Sequence, residues 1–161
     1  MAAFWVEYKE IFAVVVGAIL GFALSEGKDT WLLRKRRKSH FGALRAQIEL
    51  CREMAETYLH DNIIAPLYRL PLSAYENSMP ALLADGALNE TEVRALTEFF
   101  AQVQTLNRGL DLAQTMRERG EEQMLQEEFA RNRLKAERLV PSEIRPASYY
   151  DRAIAVITSR V

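Results

Sequence analysis

Few residues in the chain are equipped for chemistry. Cys51 is the one thiol, and His40 and His60 are the two imidazoles, in 161 residues. A nucleophilic pair would have to join Cys51 to His60. On a helix, nine residues turn through about 900°, which sets the two on opposite faces and excludes a dyad within one helix. Cys51 therefore reads as a small core residue. A carboxylate-bridged metal centre in a bundle draws on two Glu-x-x-His pairs and further glutamates, whereas this chain offers only Glu56-x-x-x-His60. His60 reads as the end of a helix, where a cation suits the C-terminal dipole. No Gly-rich phosphate loop, Gly-x-Ser-x-Gly or Cys-x-x-Cys occurs. The expectation is a protein with no catalytic residue, no metal and no cofactor.

Other polar residues stand out by position. Arg34 and His40 have the spacing of the Arg and His of HEPN ribonucleases and resemble them in that alone. Arg34 lies in a run of cations, where such matches arise by chance, so a HEPN-like ribonuclease is the third-ranked reading. Asn107, in QTLNRGLD, falls on the edge of an apolar helical face. Its amide either bonds a neighbouring backbone group, stays half exposed, or sets register or partner choice. Glu127 and Arg131, at i,i+4, carry the pattern of a solvated face, with a docking surface as the lesser reading.

The cations are concentrated. Arg34, Lys35, Arg36, Arg37 and Lys38 are consecutive, whereas residues 39–161 carry 14 basic and 18 acidic groups. A body of that balance has no general attraction for a polyanion, which argues against nucleic acid as a partner. Upstream lies IFAVVVGAILGFAL, Ile11 to Leu24, 14 residues without a charge. Alone it makes about 21 Å of helix, short of a hydrocarbon core of about 30 Å. Counted from Phe4 to Leu24 it reaches about 32 Å. Trp5, Tyr8 and Trp31 then fall where interfacial aromatic residues sit. A cleaved signal peptide would want a positive start, and residues 1–10 carry Glu7, Lys9 and Glu10. A buried core helix also suits 14 residues and is the other alternative. The spanning helix is the favoured reading, and Arg34–Lys38 become its positive-inside flank. Within the span Ala13, Gly17, Gly21 and Ser25 recur every four residues. Such a ladder lets a second helix approach closely, which suits self-association, with small residues that have no partner or a different one as the alternative.

Beyond the anchor, every periodic stretch has the helical repeat. Asp29 or Thr30 could cap a new helix, or the first could run on through Gly27. From Trp31 to about His60 the buried line is Phe41, Leu44, Ile48, Cys51, Ala55 and Tyr58. Pro66 and Pro71 break NIIAPLYRLP, where Ile63, Ile64, Leu67 and Leu70 are expected to pack inward. Ser73-x-x-Glu76 predicts a capping box, and Pro80 limits or restarts that helix. Asn89, with Glu92 three residues on and a Leu88–Val93 staple, opens a helix to about Glu118 that Gly120 closes. Its apolar face is Leu96, Phe99, Phe100, Val103, Leu106, Leu110 and Ala113. A charged helix follows, with a thinner seam of Leu125, Phe129, Ala136 and Leu139. Ser148-x-x-Asp151 caps a last helix bearing Tyr150, Ile154, Ile157 and Val161. The fold class is all-α: an N-terminal transmembrane helix (residues 1–30) followed by a four- to five-helix cytoplasmic bundle (residues 31–161).

This layout, with LLADGALNETEVRALTEFFAQVQTLNRGLDLA over residues 82–113, resembles uncharacterised bacterial single-pass membrane proteins with a small helical cytoplasmic domain. The resemblance brings no assigned reaction. The expected function is a non-catalytic, membrane-tethered scaffold or accessory subunit in the bacterial inner membrane, N-terminus out and C-terminus cytoplasmic. Its expected partners are the lipid bilayer, a second copy through the transmembrane helix and a protein on the helical domain; no small-molecule substrate is evident. The runner-up is an effector whose oligomerised N-terminal helices perturb or perforate the bilayer.

Overall fold

The computed structural model describes the backbone of residues 2–60, 68–141 and 148–160, and their side chains except at 2–13, 19, 20 and 22–24. Among the described residues every regular element is helical: α1 (Ala2–His60), α2 (Ser73–Ala84), α3 (Glu90–Glu118), α4 (Glu122–Ala136), a 3-10 turn (Glu137–Leu139) and α5 (Tyr149–Thr158). The chain divides into two compact units, Met1–Arg37 and Lys38–Val161.

The first unit is helical from Ala2. The break allowed at Asp29 or Thr30 does not occur. The Thr30 hydroxyl donates back to the carbonyls of Glu26 and Gly27, both at 3.0 Å, and so is not free to cap a new helix. Among the described residues no helix is long and apolar enough to cross a membrane. Much of the expected span lies outside that description, because the side chains of Ile11–Ala13, Ile19, Leu20 and Phe22–Leu24 are not part of it. Those that are described include Val14 and Val15, both exposed.

In the second unit the C-terminal part of α1 packs with the remaining helices. Phe41, Leu44, Ile48, Cys51 and Ala55 are buried, and Tyr58 is half-buried at the end of the same face. The α3 face is buried from Leu96 to Ala113 as its spacing requires, with Phe99 and Phe100 fully enclosed. Tyr75 stacks on Phe100 at 4.3 Å between ring centroids, and Phe99 meets Phe100 edge-on at 5.1 Å. Leu125 joins Ala113 and Met116 in a smaller cluster, against which Phe129 is only partly buried. Tyr150, Ala153 and Ile157 bring α5 into the main core. Ile63, Ile64, Leu67 and Val161 lie outside the described residues.

The helix ends follow local chemistry, with two corrections. The Asn89 side chain accepts from Glu92 N–H at 2.9 Å while Asn89 N–H donates to the Glu92 carboxylate at 2.8 Å. Ser148 and Asp151 repeat that reciprocal box. Gly120, at φ +71°, turns the chain left-handed so that Gly120 N–H reaches Arg117 C=O and Glu121 N–H reaches Met116 C=O. Gly86 ends α2 the same way. The expected Ser73 capping box does not form: Ser73 lies inside α2, Leu72 is the cap residue, and no side chain of the box bonds there. Nor does Pro80 end α2, which runs through it to Ala84. Pro80 and Glu76 are both exposed, so the carbonyl that loses its partner opens to water.

Two Arg–Glu contacts tie α5 and the turn after it to α3: Arg152 to Glu98 at 2.6 Å and Arg160 to Glu92 at 2.7 Å. Burial alone would raise the Glu92 pKa, but the Asn89 N–H and the Arg160 guanidinium outweigh it and hold the carboxyl below the usual range. The Arg94 hydrogen bond is the largest effect on Glu98, and with Arg152 it outweighs the opposing effect of burial and lowers the carboxyl's pKa. A carboxyl depressed in the folded state adds stability above its unfolded pKa of about 4.3, and that stability is lost as pH falls through the folded value. The urea midpoint should therefore fall in acid below about pH 4. Glu92→Gln should be less stable than the parent at neutral pH and lose less on acidification; parallel pH profiles for the two would refute the assignment.

Candidate functional site

The residues singled out in the first unit are a cationic run and a ladder of small residues. Consecutive helical residues advance about 100° each, so five of them encircle the helix. No side of α1 between Arg34 and Lys38 is therefore without a cation. Arg34, Lys35, Arg36 and Lys38 are exposed and Arg37 is half-buried. Just before them come Trp31, Leu32 and Leu33, exposed by 59%, 44% and 40%, unusual for three adjacent large apolar side chains. Lys35 Nζ lies 5.2 Å from the Trp31 ring centroid, a cation–π contact one helical turn long. Of the other expected interfacial aromatics, the side chains of Trp5 and Tyr8 lie outside the described residues.

Gly17, Gly21 and Ser25 are exposed, and Ala13 lies outside the described side chains. A Cβ built on Gly17 or Gly21 would meet nothing within 4 Å. Among the described residues no neighbour requires these glycines.

Two of the three chemically capable side chains, Cys51 and His40, are used in packing. Cys51 is fully buried and its thiol faces the Pro71 carbonyl at 3.6 Å. Burial pushes its pKa up to about 12, which suppresses the thiolate that a nucleophile needs. His40 is half-buried with Nδ1 3.1 Å from Ser78 Oγ, and Arg34 is exposed. Six helical residues turn through about 600°, so the two do not share a face as a paired catalytic site would require. His60 ends α1, exposed, in the position expected for a C-terminal cation. Among the described residues no group of three His, Cys, Asp or Glu side chains could hold a metal ion.

Asn107 takes the backbone-bonding role that its place on the α3 face allowed. Its Oδ1 accepts from Leu70 N–H at 2.8 Å and its Nδ2 donates to Leu70 C=O at 2.9 Å. One amide thus satisfies both polar groups of a buried residue in the segment leading into α2. The other side of that segment is held from α1. The Tyr58 hydroxyl donates to Tyr68 C=O, Cys51 faces Pro71 C=O, and Gln47 accepts from Tyr75 N–H at 2.7 Å. Tyr75 is the third residue of α2, so Gln47 supplies the N-terminal cap that Ser73 does not.

Several buried polar residues have no counterpart in the periodic reading. Gln47 sits within the apolar stripe of α1, and a polar residue in such a stripe is the signal that also marks Asn107. Glu128 is 3% exposed yet belongs to a sequence dense in charge; Lys135 at 3.0 Å and Arg131 at 3.4 Å neutralise it. Asn132 is fully buried, and a Cβ on Gly109 would come 1.8 Å from its Oδ1. Gly109 is thus where α4 side chains press onto the α3 backbone. Glu127 and Arg131, by contrast, are exposed and 3.6 Å apart, an ordinary surface pair. No family model, curated protein or solved structure matches the chain.

The clamp has a measurable consequence. Asn107→Ala would leave Leu70 N–H and C=O unpaired in a buried place, each at about 1–3 kcal/mol. The expected loss is about 2–5 kcal/mol in chemical denaturation of the chain. A loss below about 1 kcal/mol would mean that the amide does not hold the segment.

Proposed function

We propose that the protein is a non-catalytic membrane tether: the N-terminal part of α1 crosses a bilayer, and the helical unit Lys38–Val161 serves as a docking body on the cytoplasmic side. The observation that carries this reading is the step along α1 from an uncharged stretch, Ile11–Leu24, to five consecutive cations. A ring of charge without a gap cannot follow the apolar segment into hydrocarbon, whichever face leads. The exposed Trp31, stacked on Lys35, suits the boundary between apolar and polar surroundings. A docking rather than catalytic body is supported by the way its thiol and His40 are consumed by packing.

Topology tests it. A reporter fused after Val161 should be active in the cytoplasm of a bacterium, and the chain should stay in the membrane through alkaline carbonate. Periplasmic activity of that fusion, or release of the full chain into the soluble fraction, would refute the tether.

Assembly through the small-residue ladder belongs to the same proposal. Gly17 and Gly21 have open surroundings, so added side chains are tolerated by the chain itself. The double substitution Gly17→Ile, Gly21→Ile keeps the stretch apolar while blocking close approach of a second helix. It should insert normally and lose self-association, read by crosslinking in membranes or by size in detergent. Ile19→Leu, on another face, should leave assembly intact. Unchanged oligomer size in the double variant would assign any assembly to the helical body instead.

A further inference from the structure

The helix spacing at the end of the first unit puts two kinds of side chain in register. Trp31 and Leu32 lie one turn before Lys35 and Arg36, about 6 Å along the axis, on the same faces. The large apolar side chains are exposed, the cations Arg34, Lys35 and Arg36 are exposed, and Lys35 rests on the indole. We propose that Trp31–Arg36 is a recognition site for the phosphate-bearing headgroups of anionic phospholipids, an inference that rests on the tether reading above. Helical side chains lean toward the N-terminus, which here means toward the apolar stretch. Trp31 follows Leu24 by seven residues, about 10 Å of helix, and Arg34–Arg36 follow it by ten to twelve, about 15–18 Å. Their long stems lean back toward the headgroup layer, and the apolar tier leads them.

Charge complementarity calls for an anionic partner, and the apolar tier selects lipid among polyanions. A nucleic acid would meet the cations but offers nothing to Leu32 and Leu33. A lipid surface takes up apolar and cationic tiers together, and each cation near it contributes about 1 kcal/mol, or roughly fivefold.

The test uses the full chain with Trp5→Phe, which leaves Trp31 as the sole tryptophan. It is reconstituted in vesicles of phosphatidylcholine, with or without one third phosphatidylglycerol. Trp31 emission should shift to the blue and acrylamide quenching should fall in the anionic vesicles only. Both effects should disappear at 1 M salt, where the screening length is about 3 Å, and in Arg34→Gln/Lys35→Gln/Arg36→Gln. Trp31 responding equally in both vesicles would overturn the inference while the tether stands, provided the chain resists carbonate extraction. Failure to incorporate overturns both. Equal protection of Trp31 by single-stranded RNA in detergent would reassign the cations to nucleic acid and also overturn it.

Discussion

The second unit is organised around an irregular segment that cannot be left unpaired. Leu70 is buried, and the chain from Tyr68 to Leu72 has no helical ladder to absorb its amides and carbonyls. Removed from water, each such group costs about 1–3 kcal/mol unless a partner is found. Side chains of two other helices supply the partners: Asn107 from α3, and Tyr58 and Cys51 from α1, while Gln47 of α1 pairs the first turn of α2 just beyond. The α1 residues are separated by seven and four positions, hence lie on one face, and with His40 they meet Ser78, Tyr75, Pro71 and Tyr68 as α1 is followed from 40 to 58. α1 therefore runs antiparallel to the segment and α2. Hydrophobic burial can tolerate a slip of a few ångströms between helices; this row of directional bonds cannot. It fixes the register in which Leu44, Ile48, Phe99 and Phe100 then close the core.

What could be read from sequence follows from how local the cause is. The capping boxes at Asn89 and Ser148 need only four consecutive residues, and the glycine turn at Gly120 needs only a left-handed backbone, so both were legible. The long apolar faces of α1 and α3 were legible because burial repeats every three or four residues. Ser73 failed as a cap because its competitor, Gln47, is 26 positions earlier and approaches only once α1 and α2 are packed. Pro80 was misread because whether a proline ends a helix depends on which face it occupies. The same limit hides Gly109: its lack of a side chain matters only because Asn132 arrives from another helix.

The candidate site was legible to a different degree. The basic run and the small-residue ladder are sequence facts, and they needed no tertiary structure to be found. Their exposure, and the contact of Lys35 with Trp31, are what the structure adds. Cys51 already reads as a core residue in the sequence, and the packed unit adds the partners: Cys51 faces the segment before α2 and His40 meets Ser78. A thiol raised to about 12 by burial has little reason to be kept reactive.

The uneven charge has its own consequence for a tether. Five cations beside the apolar stretch are drawn to an anionic surface, while residues 39–161, with 18 acidic groups against 14 basic, are repelled by it. The two effects have the same range, about 8 Å at physiological salt, so they act only near the bilayer. Attraction is concentrated on one turn of helix and repulsion is spread over a whole domain. A uniformly basic chain would lie down on such a membrane and cover the surfaces a partner must reach. In the proposed tether this distribution would instead hold the body by its N-terminal end and leave the faces of α3, α4 and α5 open to proteins rather than lipids.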